Sequence, residues 1–76
     1  MNMITIEEFI PLFEEQFDTM PSVTLTPETR FRELPEWSSL VALSVLSMID
    51  EELNVDISAA DMRAANTIQE LYDKLH

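Results

Sequence analysis

The adjacent hydroxyls of Ser38 and Ser39 are the groups in this chain best placed for covalent chemistry. They follow Trp37 and open a run with helical periodicity. A serine at a helix start commonly caps it, accepting a first-turn N–H. The remaining residues exclude most other chemistry. The single histidine, His76, lies at the terminus, where chains fray. There is no cysteine and no glycine, so disulfides, thiolate metal sites and glycine-rich phosphate loops are ruled out. No Ser-His-Asp set is present. The acid run Asp50-Glu51-Glu52 spreads over different helix faces and lacks calcium-loop spacing. The chain therefore reads as a non-enzyme with no catalytic residue and no metal site.

Four helices are expected to position these serines. The first runs from Thr5 to Asp18. Thr5 and Glu8 have capping-box spacing, and Ile6, Phe9, Ile10, Phe13 and Phe17 form an apolar stripe. Pro11 should kink this helix or end a first turn. Residues 19–37 form a long loop broken by Pro21, Pro27 and Pro35, with Val23, Leu25, Phe31, Leu34 and Trp37 as anchors. Loops of that length are often functional. Val23 to Thr26 has strand-like alternation but no partner strand, and is read as extended loop.

The second helix runs from Ser39 to Leu53, capped by Ser38. Leu40, Leu43, Leu46, Ile49 and Leu53 are its expected buried stripe, which leaves Val41 and Ala42 as unusually apolar exposed positions. A short helix spans Ala59–Ala64 behind Ser58, and a last one spans Thr67–Leu75, with Thr67 and Glu70 as a second capping box. Asn54 and Asn66 take the left-handed terminator role that glycine would otherwise fill. The expected fold class is all-α: a small four-helix bundle, three main helices plus a short one, with a long first loop. At 76 residues it is one domain, 1–76, of modest stability, because so short a chain buries only about 60% of its unfolded surface.

Fifteen acids against four bases give a net charge of -11. Such a surface repels nucleic acid and anionic membranes and attracts basic protein surfaces. Solubility alone explains the charge equally well. The start, Met1-Asn2-Met3-Ile4, has no basic leader, and no run reaches the roughly 20 apolar residues of a membrane span. A cytoplasmic protein is expected.

Trp37-Ser38-Ser39-Leu40, followed by an amphipathic helix ending Ile49-Asp50-Glu51-Glu52-Leu53, resembles the acyl and peptidyl carrier protein family. That family carries Asp-Ser-Leu at the start of its second helix, and Ser39-Leu40 match the last two positions. Val55-Asp56-Ile57-Ser58, Asp61 and Thr67-Ile68 resemble its later segments, so the likeness covers essentially the whole chain. The resemblance implies that Ser39 is the attachment point of 4′-phosphopantetheine, supplied from coenzyme A by a phosphopantetheinyl transferase. The arm would hold acyl cargo as a thioester for acyl-loading and acyl-transferring enzymes of fatty-acid, polyketide or related biosynthesis. It also implies a monomer that catalyses nothing and raises the effective concentration of its cargo.

Two positions depart from the family. Ser38 stands where it has Asp, and Trp37 lies near where a glycine is often found. Ser38 still caps the helix but brings no charge near the reacting phosphate and its metal ion. Slow modification, a dedicated transferase, or none at all remain open. Partner docking is expected on Ser38, Leu40, Ser44, Ser47, Asp50 and Glu51. Ser44 and Ser47 are neutral where relatives often carry acid, and Glu52 reads as a solvated position. Trp37 is read as a loop pin in preference to a partner anchor. Met48, Leu43, Met62 and Ile57 are either plain core or the lining of a groove for an acyl chain. Against the carrier reading stand an unmodified carrier-like interaction module, which Ser38 favours, and an acidic mimic of nucleic acid, which only net charge favours.

Overall fold

The computed structural model describes residues 4–75; residues 1–3, on which the expectation about a leader falls, and His76 lie outside them. Four helices follow in order: α1 (Ile6–Glu14), α2 (Ser39–Leu53), α3 (Ala59–Ala64) and α4 (Ile68–Asp73). The described residues contain no strand. α1 packs against both α2 and α4.

Local chemistry explains most helix ends. At α1, Thr5 Oγ1 accepts from the Glu8 N–H at 3.2 Å and Glu8 Oε1 accepts from the Thr5 N–H at 3.1 Å, the reciprocal box expected from their spacing. The helix continues through Pro11, an exposed residue, and stops at Glu14, short of the expected Asp18. Beyond it the chain tightens: the Gln16 and Phe17 N–H groups reach back three residues, to Phe13 and Glu14. That tighter turn still delivers Phe17 to the core.

α3 begins with a box between Ser58 and Asp61. At α4 the expected second box is only half present. Thr67 Oγ1 accepts from the Glu70 N–H, but Glu70 Oε1 turns back to the Asn66 N–H at 2.7 Å. α4 ends at Asp73, with Lys74 and Leu75 held by three-residue bonds.

Asn54 closes α2 in the left-handed conformation (φ 58°), its N–H bonded to the Asp50 carbonyl at 3.1 Å. Asn66 does not share this role: among the described residues only Asn54 has positive φ, and α3 ends on an extended Ala65. Asparagine tolerates positive φ better than alanine does. Asn54→Ala is therefore expected to lower stability by about 1 kcal/mol, and Asn54→Gly to change it by less than about 0.5 kcal/mol, in urea unfolding.

The buried stripe of α2 is Val41, Val45, Met48 and Ile49, not the expected leucines. Leu40 and Leu43 are 68% and 61% exposed, whereas Val41 is 2% exposed and Ala42 half-buried. Strict three-residue spacing lags the helix by about 60° per step. From Leu40 to Ile49 that drift reaches about half a turn, so the two lie on opposite faces. Spacing of four, three and one from Val41 stays together.

The first loop is more structured than expected. It contains a 3-10 turn at Phe31–Glu33 and a Thr26–Thr29 turn closed by the Thr29 Oγ1 and Thr26 carbonyl acceptors. Leu25 and Phe31 are buried, and Leu34 and Trp37 pack against the core, but Val23 is 50% exposed and anchors nothing. The loop also caps α4. The Ile68 N–H donates to the Thr29 carbonyl at 3.1 Å, and the Gln69 N–H to the Pro27 carbonyl at 2.9 Å. These first-turn donors have no partner within their own helix.

Candidate functional site

Ser39 is the first residue of the 15-residue α2 and is exposed. Its position is fixed from both sides. Ser38 Oγ accepts from the Val41 N–H at 3.2 Å, so Ser38 is the cap the sequence predicts. The Ser38 carbonyl takes the Ala42 N–H. This division leaves the N–H groups of Ser39 and Leu40 without a partner among the described residues. The first turn of α2 carries no acid. An exposed hydroxyl, two open donors and the positive end of a four-turn dipole suit a phosphate at Ser39.

Trp37, on the loop side, belongs to an aromatic cluster. Its ring lies 4.9 Å from Phe31, 5.9 Å from Phe17 and 6.0 Å from Phe13, with which it stacks at 11°. It is the loop pin, and it ties the approach to Ser39 to the core of α1.

A cavity of about 630 Å³ opens beside Ser39 between α2 and α3. Trp37, the two serines, Ala42, Leu43 and Leu46 border it from the loop and α2, and Ala59 and Met62 from α3. Two of the four groove residues expected from sequence, Leu43 and Met62, border it. Met48 belongs instead to the core, and Ile57 packs partly against that core. Arg32 and Arg63, which the sequence reading overlooked, also border the cavity. Their only sequence signal was the scarcity of cations.

The expected docking residues divide. Leu40, Ser44, Ser47 and Glu51 recur at four, three and four residues and border one shallow depression of about 360 Å³ against Gln16, just past the end of α1. Ser44 is half-buried there and the other three are exposed. Glu52 borders it too. Asp50 is exposed but lies off this face, and Ser38 lies on the cavity side.

A family model described as the phosphopantetheine attachment site matches residues 7–75. The chain belongs to this family of acyl and peptidyl carrier proteins. No curated protein and no solved structure matches it significantly. The carrier is a site of covalent 4′-phosphopantetheine attachment, and the open helix start and adjoining cavity fit that group. Domains of this kind are carrier modules that work with phosphopantetheinyl transferases and biosynthetic enzymes. No helix of the described carrier is long and apolar enough to cross a membrane.

Proposed function

We propose that this carrier holds acyl intermediates as thioesters on a 4′-phosphopantetheine arm at Ser39, for fatty-acid, polyketide or related biosynthesis. The observation that carries the assignment to Ser39 is its exposed place at the start of α2, with two open N–H donors beside it. In the loading step Ser39 Oγ forms a bond to the pantetheine-side phosphorus of coenzyme A. The pyrophosphate P–O bond breaks, the adenosine half leaves, and the transferase takes the hydroxyl proton. The arm supplies the thiol on which cargo is carried. The chain works as a single domain, 1–76, monomeric and cytoplasmic, and catalyses no step itself.

Partners dock on the face of Leu40, Ser44, Ser47 and Glu51, with Ser38 and Asp50 at its margins. Exposed Leu40 gives that face an apolar contact at the end nearest Ser39, and Glu51 adds charge complementary to a basic partner. Glu51→Lys, which opposes such a partner, is expected to slow loading severalfold at low salt, and Asp50→Lys less. Loading rates that match the wild type would remove the docking face from this account.

The test of the assignment is intact-mass spectrometry after incubation with coenzyme A, magnesium and a broad-specificity phosphopantetheinyl transferase. Gain of one phosphopantetheine is expected. No gain, with that enzyme and with the transferase of the source organism, would instead favour an unmodified interaction module, the reading to which Ser38 in place of Asp points.

A further inference from the structure

The chain has only four lysines and arginines against fifteen acids, yet two of those four border the cavity beside Ser39, and among the described residues that line it there is no acid. Arg30 lies 3.8 Å from Glu33 and shares its charge with it. Arg32 and Arg63 have no carboxylate within ion-pair distance among the described residues. Arg32 donates instead to the Asn66 side-chain carbonyl. That neutral partner orients the guanidinium without neutralising it. Arg63 makes no hydrogen bond to a described residue, so its side chain is free to turn toward an anion.

Arg32 and Arg63 come to this cavity from the first loop and from α3. Arg32 is bonded to Asn66, which follows the last turn of α3 where Arg63 sits. It also adjoins Phe31, whose ring is 4.9 Å from that of Trp37, two residues before Ser39. Both arginines therefore border the same cavity as Ser38 and Ser39. The rest of that cavity is lined by apolar side chains.

We propose that Arg32 and Arg63 form a seat for the phosphodiester linking the arm to Ser39, and that this seat lays the arm along the α2–α3 cavity. The inference rests on the assignment of Ser39 above. A guanidinium pairs a phosphodiester through two parallel N–H donors, which fixes direction as well as proximity. The open N–H groups of Ser39 and Leu40 approach the same phosphate from the helix side. The anion in question is the phosphodiester rather than a cargo carboxylate, because the phosphate is joined to Ser39, which borders the same cavity, and it is charged whatever the cargo. The arginines are positioning residues: they select where the arm lies.

The test uses loaded protein whose arm ends in a free thiol, so that the phosphodiester is the only added anion, with loading verified by intact mass. NMR compares unloaded and loaded forms at the Arg32 and Arg63 side-chain N–H groups and at the Leu46 and Met62 methyls. In the wild type, loading is expected to shift all four. In Arg63→Gln, the methyl shifts should fall at least twofold, and in Arg63→Glu further, while Arg63→Lys retains part of them. Arg32→Gln should act alike; thermal melts verify that each variant is folded. Methyl shifts in Arg63→Gln and Arg63→Glu equal to those of the wild type, or none in the wild type, would overturn the seat while leaving Ser39 loaded. A wild-type chain that takes no arm would remove the assignment of Ser39, and the seat with it.

Discussion

Ser39→Ala is expected to take up no phosphopantetheine, whereas Ser38→Ala should still be loaded. The two hydroxyls are neighbours, but the fold gives them opposite tasks. Ser38 Oγ is occupied by the Val41 N–H. Its backbone is extended at φ -150° and ψ 172°, as a cap requires. Ser39 is the first helical residue and its hydroxyl has no described partner. Removing the Ser38 hydroxyl costs about 1 kcal/mol of cap, which lowers the melting temperature without removing the acceptor. Loss of loading in both variants would mean that the cap, not the nucleophile, is limiting. Loss only in Ser38→Ala would move the arm to Ser38. The same experiment measures the effect of the missing acid. Ser38→Asp keeps a capping oxygen and adds charge, and is expected to load faster than the wild type if the transferase uses that charge. Equal rates would show that this carrier is recognised without it.

Phe13→Ala should leave little folded protein at room temperature. Phe13 is fully buried and its ring touches four others: Phe9 at 6.0 Å, Phe17 at 5.8 Å, Phe31 at 5.4 Å and Trp37 at 6.0 Å. Truncating a buried phenylalanine costs about 3–5 kcal/mol. Stability of about 0.05–0.15 kcal/mol per residue amounts to roughly 4–11 kcal/mol for this chain. For a chain this short, at the lower end of that range, the loss is comparable with the whole. No disulfide is present to hold what remains. Because Trp37 leans on Phe13 just before the two serines, whatever folded fraction survives should load poorly as well. Circular dichroism during urea unfolding measures the first effect, and an unfolding free energy within about 1 kcal/mol of the wild type would contradict this view of the core. Phe13→Leu, which keeps most of the volume, is expected to be much milder.

The parts of this fold that were legible in the sequence are those made by neighbours. Thr5 with Glu8, Ser38 before α2, Ser58 before α3 and Asn54 after α2 all act over a few residues, and their chemistry is carried by side-chain type. The match of Ser39-Leu40 to a helix start was legible for the same reason. Choices that depend on distant packing were not. In α2 both leucine and valine rows were apolar, and only the placement of α1 and the loop decides that Val41 and Val45 go inside while Leu40 and Leu43 stay out. The Glu70 carboxylate had two N–H donors within reach and took that of Asn66. The capping of α4 by Thr29 and Pro27 uses backbone carbonyls, which every residue has, so no pattern of side chains announces it. The hydrogen bond from Arg32 to Asn66 likewise joins segments from opposite halves of the chain.

That capping of α4 by the loop has a kinetic consequence. A plain up-and-down bundle folds from local contacts and is correspondingly fast. Here the first turn of α4 is complete only after the loop near the middle of the chain has arrived, and the Tyr72 hydroxyl closes onto the Ile4 carbonyl near the opposite end. The last helix is therefore bound to the slowest loop closure in the molecule. Its Ile68 and Gln69 amides should exchange with solvent whenever the loop lifts, even while the neighbouring turns of the helix stay wound. Those two amides give a reading of loop opening from a helix that does not itself move.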